Sequence, residues 1–130
     1  MMTTVQALVW SGILTLVMIL VAAALCARAW TPEGMAIAFG NRENVPPATG
    51  MAGRADRAAR NMVVGMLLLT AAVLAAQLAG KGAQAASGAT VFFWARLVYW
   101  PTYLAGIAYL RTGIWTVSVI GLAMIVAQVW

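Results

Sequence analysis

Two short runs hold the side chains of this chain that could do chemistry. The first, Arg54-Ala-Asp56-Arg57-Ala-Ala-Arg60-Asn61, gathers three guanidiniums and an amide. The second, Ala95-Arg96-Leu-Val-Tyr99-Trp-Pro101-Thr-Tyr103, adds a guanidinium and two phenols, and Arg111 follows shortly after. At helical spacing Arg57 and Asn61 share a face, with Arg54 on the same side. Tyr99 and Tyr103 fall at i+3 and i+7 from Arg96, also on one face. Guanidinium forks bind carboxylates and phosphates in a planar, two-pronged way, so the sum suits an anionic ligand. Three arginines at the start of a helix also oppose its dipole, which a purely structural helix would avoid.

The elements that must carry these residues are unusual. The chain has 130 residues, of which 64% are apolar and 8% charged. An ordinary soluble domain has roughly 45–50% apolar and about 25% charged residues. That balance excludes a typical cytosolic enzyme, a disordered chain and a disulfide scaffold, and leaves a polytopic membrane protein. The net charge is +5, with no His and one Cys. A basic membrane protein keeps its excess Lys and Arg in cytoplasmic loops beside anionic lipid. No pattern for nucleic acid is present. Zinc, haem and di-iron sites lack their ligands, and Cys26, inside an apolar run, reads as a small buried hydrophobe.

Four apolar stretches predict helices over about 5–27, 58–80, 89–110 and 112–129, with a cytoplasmic loop over about 28–57. Each is near the ~20 residues needed to cross a bilayer core. The expectation is an all-α membrane protein, one four-helix antiparallel transmembrane bundle filling residues 1–130, its last two helices joined by a tight corner at Arg111 and Thr112. The first run lacks the basic start of a secretory signal and exceeds a typical signal core. Arg28, Arg42, Arg54, Arg57 and Arg60 crowd the first loop, whereas the loop between the second and third helices has only Lys81. Arg-rich ends should be cytoplasmic, which puts both termini on the outer side. Tryptophans at positions 10, 30, 94, 100 and 130 read as interfacial anchors, and Ala71, Ala75 and Ala79 form a small-residue stripe for helix packing.

A charged side chain at membrane depth costs roughly 2.5–3.5 kcal/mol on insertion scales, so it has a partner or a task. Two readings of Arg96 stand side by side. In one, Arg96, the two tyrosines and carbonyls freed by Pro101 form a polar cavity facing the bundle. In the other, Arg96 snorkels, or pairs with Asp56 or a helix C-terminus, and the tyrosines only pack. Each arginine near Asn61 likewise has an alternative as a lipid-phosphate ligand.

These two motifs, in this order, followed by Leu110-Arg111-Thr112, resemble the MAPEG family, membrane-associated proteins in eicosanoid and glutathione metabolism, and most of all its small bacterial members. The likeness runs from about Phe39-Gly40-Asn41-Arg42 to the end. It implies a homotrimer in the bacterial inner membrane, with periplasmic termini and glutathione, the co-substrate, bent between adjacent subunits at the cytoplasmic half of the bilayer. Carried over, Arg54, Arg57, Asn61, Tyr99 and Tyr103 would position glutathione, with Arg28 at the end of the first helix as a further contact. Arg111 would stabilise the thiolate, with Arg96 as second choice.

The function so implied is a glutathione-dependent transferase or peroxidase acting on lipophilic electrophiles. The family pattern places a Glu three residues after the Asn and a Pro three after that. Here these are Val64 and Leu67, with Gly65 where bacterial members often carry Asn. That departure supports an alternative: a non-catalytic MAPEG-like structural or accessory subunit among other membrane-protein subunits. A small transporter is the weakest reading, since the chain has no inverted repeat and no acid within an apolar run.

Overall fold

A computed structural model describes residues 1–41 and 49–130. Among the described residues five helices follow one another: α1 (Thr4–Ala27), α2 (Pro32–Phe39), α3 (Gly50–Leu78), α4 (Ala86–Leu104) and α5 (Ala108–Val129). The count exceeds the expected four because the first loop contains α2. Its start is written in the sequence: Thr31 caps it, its hydroxyl accepting from Gly34 N–H at 2.9 Å, Pro32 opens it and Glu33 lies in its first turn. α1 starts at a capping box between Thr3 and Gln6. It ends at Arg28, whose left-handed backbone (φ 52°) turns the chain back.

Three helices, α1, α3 and α5, are long and apolar enough to cross a membrane. α3 begins eight residues before its predicted start. Its first turns are polar, but alanines recur between the charges, and Arg60 Nε pairs with Asp56 Oδ2 one turn back at 3.0 Å. Its 29 residues span about 44 Å, against about 30 Å of hydrocarbon. α4 ends six residues before its predicted limit. Pro101 lies in its last turns, and the chain reverses through Gly106, whose φ of 78° suits glycine alone. The corner therefore falls before Arg111, which belongs to the first turns of α5.

Successive long helices run antiparallel. The end of α1 meets the start of α3 where Cys26 Sγ approaches the Ala52 carbonyl at 3.6 Å, and the start of α1 meets the α3–α4 turn where the Thr4 hydroxyl donates to the Gly82 carbonyl. α4 lies against α1, α3 and α5. At the α4–α5 crossing the backbones touch: a Cβ on Gly88 would lie 2.6 Å from the Gly121 carbonyl oxygen, and one on Gly121 2.7 Å from that of Gly88. The small-residue face of α3 that packs inside the bundle is Ala55, Ala58, Ala59, Gly65 and Ala76; Ala71, Ala75 and Ala79 are exposed. Trp94 sits in the middle of α4 rather than near an end, exposed and edge-on to Phe93. Arg28, Arg54, Arg57, Arg60 and Arg111 all lie at the end of the bundle where α1 and α4 finish, and Lys81 lies at the other.

Candidate functional site

α3, α4 and α5 enclose a cleft of about 240 Å³ lined by Arg57, Asn61, Tyr99, Tyr103, Arg111, Thr112 and Trp115. Five of the eight residues singled out in the sequence meet here. Arg57 and Asn61 come from the α3 face whose spacing predicted their pairing. Tyr99 and Tyr103 come from α4, their rings edge-on at 5.5 Å. Arg111 reaches in from α5 because the turn at Gly106 starts that helix early. Its guanidinium carbon stands 4.5 Å from the centroid of the Tyr103 ring.

Arg96 lies behind the cleft, eight residues and about 12 Å of helix before the end of α4, and only 2% exposed. It does not snorkel, and Asp56 is engaged with Arg60 instead. Its Nη1 donates to Asn61 Oδ1 at 2.5 Å, and its guanidinium packs over Phe92 (5.3 Å) and Tyr99 (5.1 Å). Gly65 makes the room: a Cβ there would come within 2.9 Å of Arg96 Nη2. Arg96 Nε finds no hydrogen-bond partner among the described residues. Rings and guanidiniums thus stack through the site from Phe92 past Arg96, then Tyr99 and Tyr103 edge-on to each other, to Arg111.

Two of the expected ligand residues lie elsewhere in the chain. Arg54 Nε donates to the Leu104 carbonyl at 3.0 Å, and its side chain lies near Gly106. It satisfies a carbonyl that the end of α4 leaves free, where a cation complements the helix dipole. Arg28 lines a different cavity, about 430 Å³, with Leu25, Cys26, Thr31 and Glu33. Within one chain neither reaches the cleft. Trp115 and Phe92 were missed, although each stands four residues from a guanidinium already singled out, Trp115 after Arg111 and Phe92 before Arg96. Val64, at the position of the family Glu, is 58% exposed and outside the cleft lining.

The electrostatics are one-sided. The cleft lining holds two guanidiniums and no carboxylate, and a third guanidinium stands behind it. Among the described residues the one ion pair joins Arg60 to Asp56, outside the cleft. A buried cation without a counter-charge is costly, and rings and one amide oxygen offset only part of that cost. The arrangement can take up an anion, and its phenols and hydroxyl add hydrogen bonds of fixed direction.

A helical bundle with three helices long and apolar enough to cross a membrane, and a guanidinium-lined cleft at its Arg-rich end, defines the class as a helical membrane protein. The chain belongs to the MAPEG family, which it matches over residues 7–130, essentially its whole length. No curated protein and no solved structure matches it.

Proposed function

We propose that this protein is a membrane-embedded glutathione-dependent transferase or peroxidase acting on lipophilic electrophiles. The observation that carries the reading is the convergence of Arg57, Asn61, Tyr99, Tyr103 and Arg111 on one cleft backed by Arg96. Glutathione offers two carboxylates to such a cleft. Its thiol, free in water, has a pKa near 8.5 and is mostly protonated at pH 7. A guanidinium beside the sulfur favours the thiolate, and each unit of lowering is worth about 1.36 kcal/mol. Arg111, on the cleft wall, is the group assigned to the sulfur. Arg96, held behind Asn61 and Tyr99, acts through them. Arg57, Asn61 and the tyrosines orient the tripeptide. In transfer, the thiolate sulfur forms a bond to the electrophilic carbon as that carbon's bond to its leaving group breaks and the group departs with the electron pair, or as the π bond of a conjugated acceptor opens and the resulting carbanion takes up a proton from water. In peroxide reduction, two glutathiones yield the disulfide while the hydroperoxide becomes alcohol and water.

In this reading α4 is the fourth span, carried across the bilayer by the three more apolar helices around it. The Arg-rich end faces the cytoplasm and both termini the periplasm of a bacterial inner membrane. Three copies associate through outward apolar faces such as that of α5, where only Ser118, Gly121 and Ile125 are buried within the chain. Arg28 and Arg54, which do not line the cleft of their own chain, then meet glutathione across a subunit boundary.

The test is glutathione titration of the purified protein in detergent, followed by turnover with a lipophilic electrophile. Saturable binding that Arg57→Ala and Arg111→Ala each weaken at least tenfold supports the assignment. The second reading, a structural or accessory subunit, draws on the exposed apolar strip of Val64 (58%), Leu67 (71%) and Leu68 (53%) along α3. Absent glutathione binding together with co-purifying membrane subunits would favour it.

A further inference from the structure

We infer that Gly65 is a positioning residue of the cleft: the Cβ it lacks leaves Arg96 the seat from which its guanidinium fixes Asn61 as a hydrogen-bond donor to the ligand. The inference rests on the glutathione reading and deepens it. A guanidinium can only donate, so the Asn61 oxygen must face Arg96 Nη1, 2.5 Å away. That leaves the Asn61 NH₂ as the group the amide offers to the cleft it lines. Without Arg96 the amide could turn over and present either end. Held by it, Asn61 selects an acceptor oxygen, which glutathione has in its carboxylates and peptide carbonyls.

The seat is closed on every side that the contacts describe. Asn61 and Gly65 stand one turn apart on the same face of α3. Arg96 crosses to that face from α4, its guanidinium between the rings of Phe92 (5.3 Å) and Tyr99 (5.1 Å). A Cβ at position 65 would lie 2.9 Å from Arg96 Nη2, 3.2 Å from its Cζ and 3.3 Å from Phe92 Cζ. The guanidinium could not yield toward Phe92, whose ring the same methyl touches. It would have to leave the α3 backbone, and Nη1 would leave Asn61 with it. A hydrogen bond weakens steeply once length and angle are lost, and the amide then has no fixed sense. Neither Gly65 nor Arg96 lines the cleft, so a methyl at 65 acts on the ligand only through Asn61. All these contacts lie within one chain and Arg96 is 2% exposed, so they are complete without a second copy.

The experiment is a double-mutant cycle, read by calorimetric titration of glutathione into the full chain in detergent. Gly65→Ala is expected to raise the glutathione Kd about fivefold or more. Arg96→Lys keeps a cation and a donor but removes the planar head that the methyl would strike. In that background Gly65→Ala is expected to raise Kd less than about twofold. The pH midpoint of the bound thiol, read by thiolate absorbance, should stay within about 0.3 unit of the parent's in Gly65→Ala, since Arg111 is untouched. A general loosening of the bundle would weaken binding equally in both backgrounds and move the midpoint as well. Should Gly65→Ala alone fail to fold, the double variant decides. Folded, and binding glutathione as Arg96→Lys alone does, it upholds the seat; unfolded, it overturns it. An unchanged Kd in Gly65→Ala, or an equal loss in both backgrounds, overturns the inference and leaves the proposed function standing. Absent binding by the parent protein overturns the proposed function, and the inference with it.

Discussion

Replacing Asn61 by alanine removes the side chain that meets the Arg96 guanidinium. The bond is short, 2.5 Å from Nη1 to Oδ1, and Arg96 is 2% exposed. A hydrogen bond to a charged group contributes about 1.5–3 kcal/mol, and breaking a buried ion pair by removing one partner costs more, about 3–5 kcal/mol. Asn61 is only half-buried, so water replaces part of the loss and the lower range applies, near 2 kcal/mol. For a chain of this size that lowers Tm by roughly 6–10 °C, read by thermal unfolding in detergent. Asn61→Asp separates stability from ligand binding. A carboxylate facing Arg96 makes the pair ionic and keeps Tm within about 2 °C of the parent protein. The same carboxylate cancels one positive charge of the site and weakens glutathione at least tenfold. Asn61→Ala with an unchanged Tm, or Asn61→Asp with undiminished glutathione affinity, would refute the account of Arg96 as a buried cation that serves the ligand's charge.

Arg111→Ala is expected to raise the pKa of the bound thiol toward about 8.5; thiolate ultraviolet absorbance against pH should show the midpoint move up by about one unit, a tenfold loss of thiolate below it. Gly88→Ala puts a methyl 2.6 Å from the Gly121 carbonyl oxygen and 2.8 Å from Ile125 Cγ1. It should force α4 and α5 apart at a cost of about 1–3 kcal/mol, seen as a lowered Tm. Gly34→Ala would place its Cβ 1.8 Å from the Arg28 carbonyl oxygen; α2 should lose its seat, with faster amide exchange over residues 32–39 and unchanged glutathione affinity.

The parts of the fold that were legible follow from single, local causes. Uncharged apolar runs marked α1, the membrane part of α3 and most of α5, because no other structure buries such runs. The helix ends are less legible, since a polar stretch punctuated by Pro and Gly reads as loop. Asp56 and Arg60 prefer helix once they pair, so α3 runs on beyond the apolar stretch. α2 is not legible although Thr31-Pro32-Glu33 is a start signal, because its eight-residue body is too short to show a periodic stripe. At the site, spacing along one helix was reliable: Arg57 with Asn61, and Arg96 with Tyr99 and Tyr103. What no spacing on one helix could give was the depth of Arg96, which depends on a glycine on another helix. Gly65 supplies that room, and a residue noted only as a departure from a family pattern sets where a charge can lie.

The arginines also sort themselves by what compensates them. Arg60 has Asp56 one turn away. Arg54 has the free carbonyl of Leu104 at the end of α4. Arg96 has Asn61 and two rings. Arg111 has the Tyr103 ring, but neither it nor Arg57 has a carboxylate or carbonyl among the described residues, and both line the cleft. A chain that needed positive charge only to fix its orientation at a cytoplasmic surface could leave any of these side chains in the headgroup layer. Arg28, outside the cleft, has no ion pair among the described residues either, so what sets Arg57 and Arg111 apart is that both line one cleft whose lining holds no carboxylate. This distribution is the physical basis for reading the cleft as an anion site: the missing counter-charge belongs to what binds.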